Sequence, residues 1–214
     1  MRDTAIATRP STPRSGRKAK GEGHVRRGEI LAAAERIFVE HGYEGATIRK
    51  IADAVGLSST ALYIHFPDKG AILEEICRSA FEVLISANRA IVEAAGTPEM
   101  RLRAMLQAYV DFGFANPDAY RLVYLTRPLE ARDGAETAAQ QLGADLFRSF
   151  EAVVEEVGST GRLNGDARVA AQVLWAGVHG IVSLMITKPY FPWAERSALT
   201  ATMTDALLSG LLKP

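Results

Sequence analysis

The 214-residue chain is 48% hydrophobic and 23% charged, and its 25 Lys+Arg are matched by 25 Asp+Glu. Such a composition supplies a buried core and points to a globular, soluble protein, while the zero net charge argues against indiscriminate adhesion to nucleic acid. The single cysteine, Cys77, leaves no internal disulfide and reads as a small buried residue in a reducing compartment.

The charges are unevenly placed. Residues 1–70 hold 12 Lys+Arg against 8 Asp+Glu, a net of +4, and residues 71–214 hold 13 against 17, a net of −4. Residues 1–24 carry Arg2, Arg9, Arg14, Arg17, Lys18 and Lys20 among Pro, Ser and Gly, with almost nothing to bury. They are expected to form a disordered basic arm, either a phosphate- or minor-groove-following segment or a solvated tail. No apolar run follows the N-terminus, so no secretory signal is expected and the chain is assigned to the cytoplasm.

From about Val25 to His41, Ile30, Leu31, Ala34, Ile37 and Phe38 fall on one helical stripe, which Gly42 ends. His41 has no partner at ligand spacing and suits a helix C-terminus. The next stretch, TIRKIADAVGLSSTALYIHF (47–66), reads as two short helices and a tight turn. Thr47 caps the first, whose apolar face is Ile48, Ile51, Ala52 and Val55; Gly56 makes the bend and Leu57 plugs the corner. Ser58 caps the second, with Ala61, Leu62 and Phe66 inward and Ser59, Thr60, Tyr63 and His65 outward. A small residue, a bending glycine and a branched apolar residue at this spacing make a helix-turn-helix, which places its second helix in the DNA major groove. Pro67 and Asp68 then open another helix, and Lys69 in its first turn opposes the helix dipole, which a phosphate contact would explain.

Residues 25–73 resemble the DNA-binding region of the tetracycline-repressor (TetR) family. The resemblance rests on Thr47 opening the second helix, the Ala52, Gly56-Leu57-Ser58 turn, the Tyr63 to Phe66 end of the reading helix, and Lys69 opening the fourth. Thr60 stands where the family commonly has glycine, and His65 where tyrosine is usual. The resemblance implies a homodimer whose fourth helix is a lever between a ligand pocket and the DNA reader.

In the body, Leu73, Ile76, Ala80, Val83, Leu84, Ala87 and Ile91 make a five-turn stripe on that fourth helix. Thr97-Pro98-Glu99 starts the next, with Leu102, Met105, Leu106, Tyr109 and Phe112 inward. Asn116-Pro117-Asp118 repeats the signal ahead of Tyr120, Leu122, Val123 and Leu125, until Pro128; residues 129–136 read as a loop. Leu142, Leu146, Phe150, Val153 and Val157 form a seventh helix. The eighth, about Asp166 to Thr187, is apolar nearly all round and must be covered on every side. Its most apolar run, Val173 to Ile186, is too short to span a bilayer, so a core helix is expected and no membrane. A last helix, about Ala194 to Leu212, carries Leu199, Met203, Leu207, Leu208, Leu211 and Leu212, and together with the eighth is expected to form a four-helix dimer interface. WAGVHG (175–180) and ANPDAYRLVY (115–124) resemble a C-terminal subgroup of the same family marked by Trp-x3-His-Gly.

The expectation is therefore an all-α protein of about nine helices: arm (1–24), three-helix helix-turn-helix head (25–70), and effector-binding and dimerisation body (71–214). Its partners would be a double-stranded palindromic operator, a small apolar effector and a second copy of the chain. For base edges the candidates are Arg49, Ser59 and Thr60; for phosphates, Thr47, Ser58, Tyr63, His65 and Lys69. Aromatic and flexible apolar side chains suit an organic ligand, so Tyr109, Phe112, Tyr124, Trp175, His179 and Met185 are the effector candidates. No hydrolase, phosphate-loop, dinucleotide or zinc motif occurs, and the four histidines lack helical ligand spacing, so no catalytic residue, metal or cofactor is expected. The rival of the same fold is an effector-independent architectural or cell-cycle DNA-binding protein.

Overall fold

The computed structural model describes residues 22–125 and 138–213, and every described element is helical apart from one isolated β-bridge between Leu163 and Leu212. The expectations for residues 1–21 and 129–136 lie outside the described residues. In order the helices are α1 (Glu22–Gly45), α2 (Ile48–Ala54), α3 (Ser59–Tyr63), α4 (Lys69–Glu93), α5 (Pro98–Ala115), α6 (Pro117–Tyr120), α7 (Ala138–Ser159), α8 (Ala167–Thr187) and α9 (Arg196–Leu211). The chain is all-α, as its periodicity implied.

Helix starts follow the cap chemistry. Thr47, Ser58, Asp68, Thr97 and Asp166 each accept a backbone N–H of the turn they open, satisfying donors that would otherwise lack partners. α1 begins at Glu22, before Val25, and carries a kink at Gly42, where φ is 67°. Gly56 holds φ at 66° in the α2–α3 turn, a left-handed conformation that costs a residue with a Cβ roughly 1–2 kcal/mol.

Two apolar clusters form. The head cluster gathers Ile30, Phe38, Ile51, Leu62, Phe66 and Ile72, extends along α4 to Ile76, and takes in Leu122 from beyond α6. The body cluster packs the rest of α4 with α5, α7, α8 and α9. At 1.5 Å per residue the 25 residues of α4 make a rod about 37 Å long, shared by both clusters.

Three details depart from the sequence reading. On α4, Val83 points out (56% exposed), whereas Phe81 and Asn88 point in. The burial there follows α7, which packs along α4 and draws in residues beside the strict stripe. After α6 the chain does not continue as α-helix but makes one π turn, Arg121–Leu125, which splits the expected apolar run. The leucines of α9 also face their own body: Leu208 is buried, and Met203 and Leu207 close over Gly177 of α8.

α8 is longer than the run read as too short for a bilayer. At 21 residues it is long and apolar enough to cross a membrane by length and composition alone. In the fold it lies against α5, α7 and α9, which fits a core helix. The approach to α5 is close: a Cβ on Gly113 would stand 2.4 Å from Val182 Cγ1, so only glycine fits without repacking.

Candidate nucleic-acid interface and body cavity

The polar face of α3 points away from the head core. Leu62 and Phe66 are buried while Ser58, Thr60 and Tyr63 are exposed, and Ser59 and His65 are half-buried beside them. Thr47 and Arg49 are exposed at the neighbouring start of α2. Arg49 lies 3.8 Å from Asp53 with both side chains in solvent, a pairing too weak to hold the guanidinium from another partner. Seven of the eight candidates are thus exposed or half-buried on α2, α3 and the residues that flank them. Ile64, at 82% exposure, joins them; it was missed because an apolar residue in this pattern reads as core.

Lys69 is the exception. Its ammonium donates to the carbonyls of Tyr43 (2.7 Å) and Ala46 (3.3 Å) and sits 4.2 Å from the Tyr43 ring centroid. The cation satisfies carbonyls at the end of α1, which explains a lysine at the opening of α4 without any phosphate.

A second inward cation went unnoticed. Arg27 Nε donates to Glu75 Oε1 at 2.8 Å, Nη2 bonds the other carboxylate oxygen, and Nη1 donates to the His65 carbonyl at 2.6 Å. The guanidinium carbon lies 4.0 Å from the Phe66 ring centroid. One side chain thus ties α1 to α4 and to the residues that end α3. The Arg27 hydrogen bond holds the Glu75 carboxyl below its ordinary range, and the same bond raises the guanidinium. From sequence, Arg27 and Glu75 are two charges among fifty; their separation of 48 residues leaves no periodic signal.

The body holds a cavity of about 260 Å³ among α4, α5, α7 and α8. Tyr109, Tyr124 and Trp175 line it together with Phe81, Phe147 and Phe150. Leu84, Met105, Leu106, Leu146 and Val178 supply aliphatic wall, and Asn88 its one amide. Three candidates do not line it. Phe112 packs in the core, Met185 lies further along α8, and His179 stands behind the wall because its ring turns to two tyrosines. Nδ1 is 2.6 Å from Tyr120 Oη and 3.1 Å from Tyr109 Oη, and those hydroxyls are 3.2 Å apart. Burial lowers the His179 pKa, which keeps the ring neutral and lets Nδ1 accept from Tyr120. Burial likewise raises the Tyr109, Tyr120 and Tyr124 phenols, so all three stay protonated. Cys77 is pushed up to about 11 by burial and is an inert core residue. Among the described residues no cluster of His, Cys, Asp and Glu could hold a metal.

Residues 30–76 match the family described as "Bacterial regulatory proteins, tetR family", and residues 102–207 match "Tetracyclin repressor-like, C-terminal domain". The HTH-type transcriptional activator FasR of Mycolicibacterium smegmatis is 35% identical over 107 residues, 48% of this chain and 49% of that protein. The HTH-type transcriptional repressor KstR2 of Mycobacterium tuberculosis is 35% identical over 91 residues, 42% of this chain and 46% of that one. The chain thus spans about half the length of these curated relatives. A solved structure of a protein with unknown function from Rhodococcus sp. RHA1 superposes with a TM-score of 0.71 at 28% identity, covering 88% of this chain and 96% of that one.

Proposed function

The chain belongs to the tetR family of bacterial regulatory proteins, and from that premise we propose that it is a DNA-binding transcription regulator whose grip on a palindromic operator is relaxed by a small apolar effector. The observation that carries this reading is α4: one continuous helix shares the head core with the α3 reader at one end and walls the cavity at the other. The rival without an effector gives the cavity no role.

In this reading Arg49, Ser59 and Thr60 meet base edges, and Thr47, Ser58, Tyr63 and His65 meet phosphates, with Lys69 and Arg27 setting the pose of the reader. Exposed Val169, Val173 and Leu184 on α8, with the small outer residues Ala198, Ala201 and Thr202 of α9, form the face for a second copy. Two-fold symmetry then offers two readers to half-sites about 34–36 Å apart.

The signal passes through the π turn. Leu122 is buried in the head cluster, while Tyr124, two residues on, lines the cavity, so a ligand that moves Tyr124 bears on the floor of the head. α1 packs against α6 across the same junction. A ligand shifts the equilibrium only by its differential affinity for the two arrangements. The test is a gel shift against DNA upstream of the chain's own gene, with and without lipophilic compounds. Retarded DNA released by a compound supports the reading; retardation that no cavity-filling compound alters favours the rival.

A further inference from the structure

Asn88 is the one amide in the cavity wall, and its hydrogen-bonding capacity is unspent. It is 93% buried, at 7% exposure, and lines the void, yet it has no hydrogen-bond partner among the described residues. The neighbouring Tyr109 is committed to Tyr120 and His179, and the Tyr124 ring packs against it with centroids 5.7 Å apart. The side chain is buried in the fold while its amide atoms are not fully enclosed, so a group entering the cavity supplies the partner that the fold does not.

No charged residue lines the cavity among the described residues, and most of the wall is carbon. An ionised ligand group there would be desolvated with no counter-charge, which an apolar interior strongly disfavours. The volume, about 260 Å³, lies just below the range of roughly 300–1,000 Å³ for small-molecule sites, so the occupying moiety is small. We propose that the cavity takes an uncharged, aliphatic or ring-shaped moiety bearing a single carbonyl or hydroxyl group, and that the Asn88 amide is the residue that recognises it.

This rests on reading the cavity as the effector site, and its test needs no DNA. The full-length protein is titrated at pH 8 with octan-2-one, octane and octanoate, which is ionised there. Calorimetry and the emission of Trp175, which lines the void, report binding. The ketone is expected to bind about ten-fold more tightly than octane, the worth of one neutral hydrogen bond, and octanoate more weakly than either. In Asn88→Leu the ketone falls to the octane level while the thermal midpoint holds or rises, because an unpartnered buried amide has been replaced by an apolar group of similar size. Asn88→Gln, which keeps the amide, retains part of the preference for the ketone. An unchanged ketone-to-octane ratio in Asn88→Leu, or octanoate binding as tightly as the ketone, overturns the assignment and leaves the effector reading standing. Failure of both uncharged probes to bind overturns the two together.

Discussion

In the head, Leu62 and its neighbours pack on every side and two cations turn inward to hold backbone carbonyls. In the body, aromatic and aliphatic walls stand apart around a void, and the polar groups behind them bond to one another. The contrast fits the duties proposed for each. A reader must present α3 in one fixed pose, which close packing and multi-point clamps enforce. A ligand site must leave room, and the contacts missing across the void make its walls the more compliant part of the fold.

The largest expected effect tests that contrast with one chemical change in two places. Leu62→Ala should cost about 3–5 kcal/mol in denaturant unfolding and abolish DNA retention. Leu84→Ala, on a wall that already faces empty space, should cost about 2 kcal/mol or less. Equal losses would dissolve the distinction between a solid head and a hollow body.

Next is the clamp. Arg27→Ala leaves the His65 carbonyl without its partner and Glu75 with Arg78 alone, 3.5 Å away, and we expect a loss of about 1–3 kcal/mol together with weakened binding to every DNA sequence. Arg27→Lys should recover only part of either, since an ammonium cannot reproduce the fork. Full recovery in the lysine variant would mean that charge alone, rather than geometry, holds α3.

Acid should separate the regions more gently. His179 has a lowered pKa, so as pH falls through the ordinary value of 6.5 the unfolded chain takes up a proton that the folded body resists, and stability drops from there downward. Glu75 is a carboxyl with a lowered pKa: its contribution is intact above 4.5 and is lost only as pH falls below that value. Unfolding measured from pH 7.5 to 5 should therefore fall in the wild type and flatten in His179→Gln, with the Arg27→Ala chain following the wild-type slope in that window. A slope unaltered in His179→Gln would remove the histidine from the account.

The smallest effect concerns Lys69. Its inward ammonium predicts that Lys69→Ala lowers the thermal midpoint of the head but leaves the salt dependence of DNA binding unchanged. A slope lower by about one would put the ammonium on a phosphate after all.

Much of this was legible along the chain because it repeats or caps locally. Thr47, Gly56 and Ser58 announce the helix-turn-helix through hydroxyl caps and a left-handed glycine, and the stripes on α1, α5 and α7 recur at the helical period. Three of the six cavity candidates, Tyr109, Tyr124 and Trp175, were reachable as aromatic body residues. Phe112 and Met185 were chosen on the same grounds and do not line the void, because residue type does not say which side of a helix meets a gap.

The sequence by itself determined the helices, their caps, the polar face of α3 and the family, since each depends on residues within a few turns of one another. Tertiary structure alone decided that Asn88 and not Val83 faces inward, that Arg27 meets Glu75 across 48 residues, that Lys69 turns to α1, and that four helices leave a void between them. Those outcomes depend on how separate helices approach, and that approach is a balance of packing over many side chains that no local spacing records.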